Sequence, residues 1–268
     1  MAHVAFNLLH LPAKTLRNVF QLMSHSELFI FSFASICAKR LVKSMNFEML
    51  ELDLVYSRPC KLKISFGEHE EFIIEFDEFG TLSKQEPSDA FVFLIAYKLD
   101  IRDCINHVLE VYKISKLHTL KVIGAINNPQ NLLKIIGKLD LKVLWIFFNF
   151  SENSTTISVY REILNHLGAR CDVVSIYNLS IDISIQYLLS RDWNYINLAP
   201  YQPISADYLL SLNSRKFSSG KALSSKEVNI FLRHWIRGSH PNLEYIKLSV
   251  NAVDREIIFK NVPYYLAD

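Results

Sequence analysis

The side chains that could do chemistry are few. Cys104-Ile105-Asn106-His107 has half the spacing of a zinc site, but no second pair at ligand spacing accompanies it. A Cys and a His three residues apart also share one face of a helix, and helix packing is the simpler reading. His234 and His240 flank an expected helix end with no third ligand nearby; His234 reads as a surface residue beside Trp235, and Trp235 as core. The seven glycines form neither G-x-G-x-x-G nor G-x-x-x-x-G-K, and no serine sits in a G-x-S-x-G elbow. Cys37, Cys60, Cys104 and Cys171 are scattered, as expected of reduced, mostly buried thiols in a cytosolic or nuclear protein rather than of a disulfide framework. No catalytic residue, metal ligand or cofactor is assigned. The acidic run Glu68–Glu75 reads as a solvated hairpin edge, and Lys39-Arg40-Leu41-Val42-Lys43 as the exposed face of a helix.

The N-terminal elements are more informative. Leu8-Leu9-His10-Leu11-Pro12 leads into Leu16, Val19, Phe20 and Met23, an i, i+3, i+4, i+7 pattern with proline expected at the first helical position. Ser24-His25-Ser26-Glu27 reads as a capping box opening a second helix, and the basic stretch closes a third near Asn46. Three short helices in about 45 residues bury their own apolar surface poorly, so the block reads as a docking module.

Composition bounds the rest. At 268 residues, half of them apolar and 21% charged, the chain holds one large domain or two unequal ones. A net charge of +2, with both signs interspersed, gives no footprint for nucleic acid. The longest apolar runs, Ala90–Tyr97 and Val143–Phe148, fall short of the ~20 residues that cross a bilayer. No secretory leader is read at the N-terminus. The expectation is a soluble intracellular protein, cytoplasmic or nuclear, with no membrane partner.

After Asn46 the period changes from 3.6 to 2. Leu50/Leu52/Leu54, Leu62–Phe66 and Phe72–Phe76 predict a small antiparallel β-meander; Phe79–Asp89 is the best linker, and a helix is expected over 100–116. An apolar-x-x-apolar-x-apolar pattern then recurs at Leu117/Leu120/Val122, Leu141/Leu144/Ile146, Cys171/Val174/Ile176, Trp193/Ile196/Leu198 and Leu243/Ile246/Leu248. The spacing is roughly 20–30 residues, with Arg215-Lys216-Phe217 hiding a degraded unit in the last, longer interval. Helical spacing follows each strand, most clearly after the second capping box, Ser224-Ser225-Lys226-Glu227, where Val228, Phe231, Leu232, Trp235 and Ile236 run on to a stop at Gly238. Alternating strand and helix predict a curved, leucine-rich-repeat-like α/β solenoid. On its strands Lys121, Trp145, Phe147, Ser175, Tyr177, Asn197 and Lys247 alternate with the buried positions and are the candidate substrate-binding residues. A continuous run such as Val143–Phe148 equally fits a strand covered on both faces.

Two segments resemble known families. Ala5–Phe47 resembles an F-box, through the Leu-Leu-x-Leu-Pro entry, the Leu16/Val19/Phe20/Met23 helix, the Glu27-Leu28 start and the Ala38–Ser44 close. Ser190–Val250 resembles the F-box-associated domain, type 2, of a nematode-expanded family, through Asp207–Asn213 and the long string Leu223–Tyr245; Asn106–Tyr112 is similar to that family's middle helix. The resemblance implies an α+β protein: a three-helix F-box at 5–47, a meander and linker at 48–89, a leucine-rich-repeat-like F-box-associated domain at 90–250 and a tail at 251–268. It further implies a non-catalytic substrate receptor of a cullin-based (SCF-type) ubiquitin ligase, in which the F-box docks a Skp-family adaptor and the C-terminal domain binds an unknown protein substrate. Carried over by position, the adaptor contacts are Leu11, Pro12, Leu16, Val19, Phe20, Leu28 and Phe31. The alternative is an interaction scaffold with a degenerate F-box.

Overall fold

A computed structural model describes residues 11–66, 70–76, 100–123, 129–137, 139–147, 154–167, 170–177, 185–199 and 204–263. The expected linker Phe79–Asp89 lies outside them. The architecture is α+β: N-terminal helices followed by a large, mostly parallel sheet. It divides into two compact units, residues 1–118 and 119–268.

The first unit opens with α1 (Ala13–Leu22), α2 (His25–Ser32) and α3 (Ile36–Met45). Pro12 stands one residue earlier than expected, as the N-cap of α1, where its carbonyl accepts from the Leu16 amide at 2.9 Å. Ser24 forms the full capping box: its Oγ accepts from the Glu27 amide while the Glu27 carboxylate accepts from the Ser24 amide at 2.8 Å. These reciprocal bonds hold Glu27 ionised, its pKa lowered chiefly by the backbone bond from Ser24. The meander is antiparallel throughout, β1 (Glu51–Tyr56) pairing with β2 (Cys60–Phe66) and β2 with β3 (Glu70–Phe76). The last helix of this unit, α4 (Ile101–Tyr112), is capped by Asp100, whose carboxylate accepts from the Asp103 amide at 2.7 Å.

The helical block meets the rest of its unit through aromatic rings. Phe29, fully buried on α2, lies 5.1 Å from Phe33, 5.5 Å from Phe72 of β3 and 5.9 Å from His107 of α4. His107 stacks on Phe33 at 3.7 Å, and its Nε2 lies 2.6 Å from Ser32 Oγ. Ser32 gives its single hydroxyl proton to the Phe29 carbonyl, so His107 must be the donor through Nε2–H. His25 stacks on Phe66 at 4.4 Å while its ring and backbone nitrogens reach both carboxylate oxygens of Glu70, at 2.5 and 2.8 Å. Lys39 and Glu110 pair at 2.5 Å, joining α3 to α4.

In the second unit the strands follow chain order without reversal: β4 (Lys116–Ile123, which crosses the division), β5 (Asp140–Phe147), β6 (Cys171–Tyr177), β7 (Tyr195–Leu198), β8 (Lys216–Leu223) and β9 (Tyr245–Val250). Every pair from β5 to β9 is parallel. The degraded unit suspected at 215–217 is the start of β8. Between strands lie α5 (Pro129–Ile136), α6 (Ser154–Leu167), α7 (Ile185–Leu189), α8 (Ala206–Leu210) and α9 (Ser225–Ile236), and α10 (Arg255–Ile258) follows β9. Crossovers between parallel strands are as a rule right-handed, and in an order that never reverses such crossovers carry the connecting helices to one face. Accordingly α5 packs on α6, and α8 on both α7 and α9. Leu144, Ile146, Val174, Ile176, Ile196, Leu198 and Phe217 are buried beneath them. Helix α9 has the predicted capping box at Ser224, and Gly238 just beyond it takes a φ of 88°, a conformation that favours glycine.

Candidate functional site

The sheet face opposite the helices collects the residues singled out on the strands. Register places Trp145 beside Ser175, Ser175 beside Asn197, Asn197 beside Ser218 and Ser218 beside Lys247, one row across β5 to β9. One step along, Phe147 lies beside Tyr177 and the rings stack at 4.4 Å with only 9° between their planes. Trp145 is 6.1 Å from the Tyr177 ring and 6.3 Å from the Phe147 ring, and the Lys121 ammonium sits 4.7 Å above the Trp145 ring centroid. These rings are half-buried, unlike Leu144 and Ile146 on the opposite face, so the strand is not sealed on both sides.

Between the aromatic end and β9 runs a polar ladder. Tyr195 donates its hydroxyl to Ser218 Oγ at 3.1 Å, Ser218 donates to Asn197 Oδ1 at 2.5 Å, and Asn197 Nδ2 points to Ser175 Oγ at 3.5 Å. Ser175 and Ser218 are themselves buried and act as struts for Asn197 rather than as contact groups. Lys247, Lys216 and Tyr245 are exposed at the far edge. Sequence reasoning missed Tyr195, Lys216, Ser218 and Tyr245. The signal was the alternation Tyr195/Asn197 and Tyr245/Lys247; it became legible only once β8, with its weak strand composition Lys-Phe-Ser-Ser-Gly, was placed between them.

The seven F-box positions divide. Leu16, Phe20 and Leu28 are buried inside the helical block. Val19, Phe31 and Leu11 are partly accessible, and Pro12 is exposed. Among the described residues of the block, the most exposed apolar side chains are two not singled out, Leu22 at the end of α1, 87% exposed, and Ile36 at the start of α3, 73% exposed.

The other candidates take structural roles. Cys104 is fully buried on α4, and burial pushes its thiol up to about 12, far from a reactive thiolate. Burial, with Lys39 adding a smaller push, lowers His107 to about 4, so it is neutral in the folded protein. His240 is buried against Phe231, its Nε2 3.0 Å from the Leu209 carbonyl, while His234 is exposed. Among the described residues Glu51, Asp53 and His118 bring three ligand-type atoms within 4.8 Å of one another. His118 already meets both carboxylates, at 3.7 and 3.4 Å. Lys63, whose pKa is raised foremost by its bond to Glu71, also feels Asp53 and Glu51. No helix among the described residues is long and apolar enough to cross a membrane.

Comparison with known proteins assigns the class. Residues 8–50 match the F-box domain family, and residues 184–248 match the F-box associated family. Together these matches support a nematode-type F-box protein with an F-box-associated domain. Along nearly its whole length it is similar to the F-box associated domain-containing protein sdz-33 of Caenorhabditis elegans, 24% identical over 275 residues that cover 98% of this chain and 87% of the relative. No solved structure matches the chain significantly.

Proposed function

We propose that the protein is the substrate-recognition subunit of a cullin-based, SCF-type ubiquitin ligase, its F-box docking a Skp-family adaptor and its C-terminal domain holding a protein substrate. The observation that carries this reading is the pairing, in one chain, of an F-box at 8–50 with an F-box-associated segment at 184–248. We read the second unit as a leucine-rich-repeat-like, curved solenoid. Its support is the unreversed parallel strand order with helices gathered on one face and a half-exposed aromatic and polar ladder on the other. Such a receptor contributes no nucleophile: it raises the effective concentration of substrate beside an enzyme brought by the cullin.

For the adaptor, Leu11 and Pro12 before α1, with Leu22 and Ile36, form the docking surface; Leu16, Phe20 and Leu28 hold the helices that display it, while Val19 and Phe31 border it. The burial of those three side chains also suits the alternative, a scaffold whose F-box no longer docks. Co-purification with the adaptor separates the two. The intact chain should bind one to one, and Leu11→Asp with Ile36→Asp, both at accessible positions, should abolish binding without changing the melting temperature. A folded intact chain that leaves the adaptor unbound selects the scaffold.

A further inference from the structure

We infer that the open face of the parallel sheet binds an extended peptide segment carrying an apolar or aromatic anchor at one end and acidic residues at the other. This deepens the receptor reading and rests on it for its biological meaning.

Three observations lead there. First, a parallel sheet is ordinarily covered on both faces, yet here one face is lined by half-buried rings and by exposed Tyr245 and Lys247. Second, the face is chemically polarised. Trp145, Phe147 and Tyr177 cluster on β5 and β6, where the Lys121 ammonium is engaged on the Trp145 ring, whereas the exposed Lys216 and Lys247 stand on adjacent strands β8 and β9, with the Asn197 ladder between. Third, among the described residues the positions sharing this face from β5 to β9 carry no acidic side chain, with Val143, Val173, Ser175, Tyr195, Asn197, Ser218, Tyr245 and Ser249 beside the rings and lysines. Its charge is therefore uniformly positive, although the chain as a whole is nearly neutral at +2. Complementarity of charge points to an acidic occupant.

Geometry sets the spacing. Neighbouring strands lie about 4.8 Å apart, so the aromatic cluster and the lysine pair are separated by three strand steps, about 14 Å. An extended peptide running across the strands covers that distance in about four residues. The ring cluster supplies the buried anchor that carries binding energy, and the exposed lysines supply orientation and encounter rate. A single-stranded nucleic acid is the competing occupant, since stacking platforms and cations also bind bases. The peptide is favoured because Phe147 and Tyr177 already stack on each other, leaving fewer free ring faces, and because no arginine lies among the described residues of the face.

The test is selection of random peptides, about twelve residues long, on the purified full chain and in parallel on the Lys216→Glu, Lys247→Glu variant. Both positions are exposed, and an unchanged melting temperature confirms the fold. Peptides enriched on the native chain should combine an aromatic or large aliphatic residue with aspartate or glutamate about four residues away. A synthetic representative should bind about tenfold or more weakly to the reversed variant, and more weakly as salt rises. Enrichment without acidic bias, equal binding to both proteins, no enrichment at all, or tighter binding of a single-stranded RNA oligonucleotide than of any peptide would each overturn the inference. Adaptor co-purification on the same preparations keeps the two readings apart. Charge reversal must leave adaptor binding intact, and loss of adaptor binding by the native chain would sink the receptor reading while leaving the peptide result standing.

Discussion

The helical block at the N-terminus and the parallel sheet near the C-terminus both hold clusters of aromatic rings, but dispose of them differently. Around Phe29 the rings are closed in by elements of their own unit: Phe33 just past the end of the same helix, Phe72 from β3 and His107 from α4. Around Trp145 the rings meet one another and Lys121, yet stay partly accessible because the connecting helices all occupy the other face. The first cluster works as core. The second has the composition of a core but is less buried, and surplus apolar surface of that kind is what a partner can use. Aromatic residues in a sequence do not distinguish these roles; the number of layers laid over them does.

That difference can be broken most directly by truncation. Phe29→Ala should destabilise the first unit by about 3–5 kcal/mol in chemical denaturation, because it removes a fully buried ring packed against Phe33, Phe72 and His107. Trp145→Ala, stripped of less buried area, should cost about 1–2 kcal/mol. Equal losses would make the open face core after all and remove the reason to expect a ligand on it.

The second difference is electrostatic. His107 joins α2 to α4 as a neutral ring, its pKa lowered to about 4 by burial and then by Lys39, whereas the open sheet face has no comparable buried base among its described residues. A native pKa below the unfolded value of about 6.5 means the unfolded chain takes up the proton first. Stability of the first unit is therefore complete above about pH 6.5, falls as the pH drops toward 4, and loses up to about 3 kcal/mol in that window. Denaturation across pH measures it, and His107→Gln should flatten the slope there. Glu70 acts lower. Desolvation pushes its pKa up, but the bonds from His25 more than offset this and leave it lowered, so its contribution is present above the ordinary carboxylate pKa and disappears only as the pH falls below that. With Glu70 43% exposed, that contribution is under about 1 kcal/mol.

Much of this was legible from residue order. Both capping boxes, the period-2 meander and the alternation that aligns Trp145, Ser175 and Asn197 follow from local rules, and the structure has them. What stayed hidden depends on contacts between distant segments. Leu16, Phe20 and Leu28 look like a docking face in a helix pattern, because a helical stripe does not reveal whether it turns toward a partner or toward the next helix. His107 offered only its spacing to Cys104, while its role depends on Ser32 and Phe33, both more than seventy residues away. The Glu51/Asp53/His118 cluster likewise exists only because β1 and the start of β4 come together. Lys216 was obscured by the poor strand character of β8.

The two regions also share one device. Ser24 and Ser224 form the same capping box, with Oγ accepting from the third helical amide at 3.2 Å and 3.3 Å. Each Ser→Ala change should cost about 1 kcal/mol. The costs should not be equal, because the first helical residue after Ser24 is His25, whose backbone amide and ring are both held by Glu70. Losing the α2 cap lets that turn fray and loosens the Glu70 clamp with it, whereas Ser225, after Ser224, is anchored separately through its hydroxyl to the Ala252 carbonyl at 2.7 Å. Hydrogen exchange at the Glu27 and Glu227 amides should therefore accelerate more in Ser24→Ala than in Ser224→Ala. A double change of Ser24→Ala with Glu70→Gln should fall short of the summed single effects, since the two groups act on one helix start. Strict additivity would mean that the cap and the clamp hold α2 independently, so that the helical block is fixed to its unit by its buried rings alone.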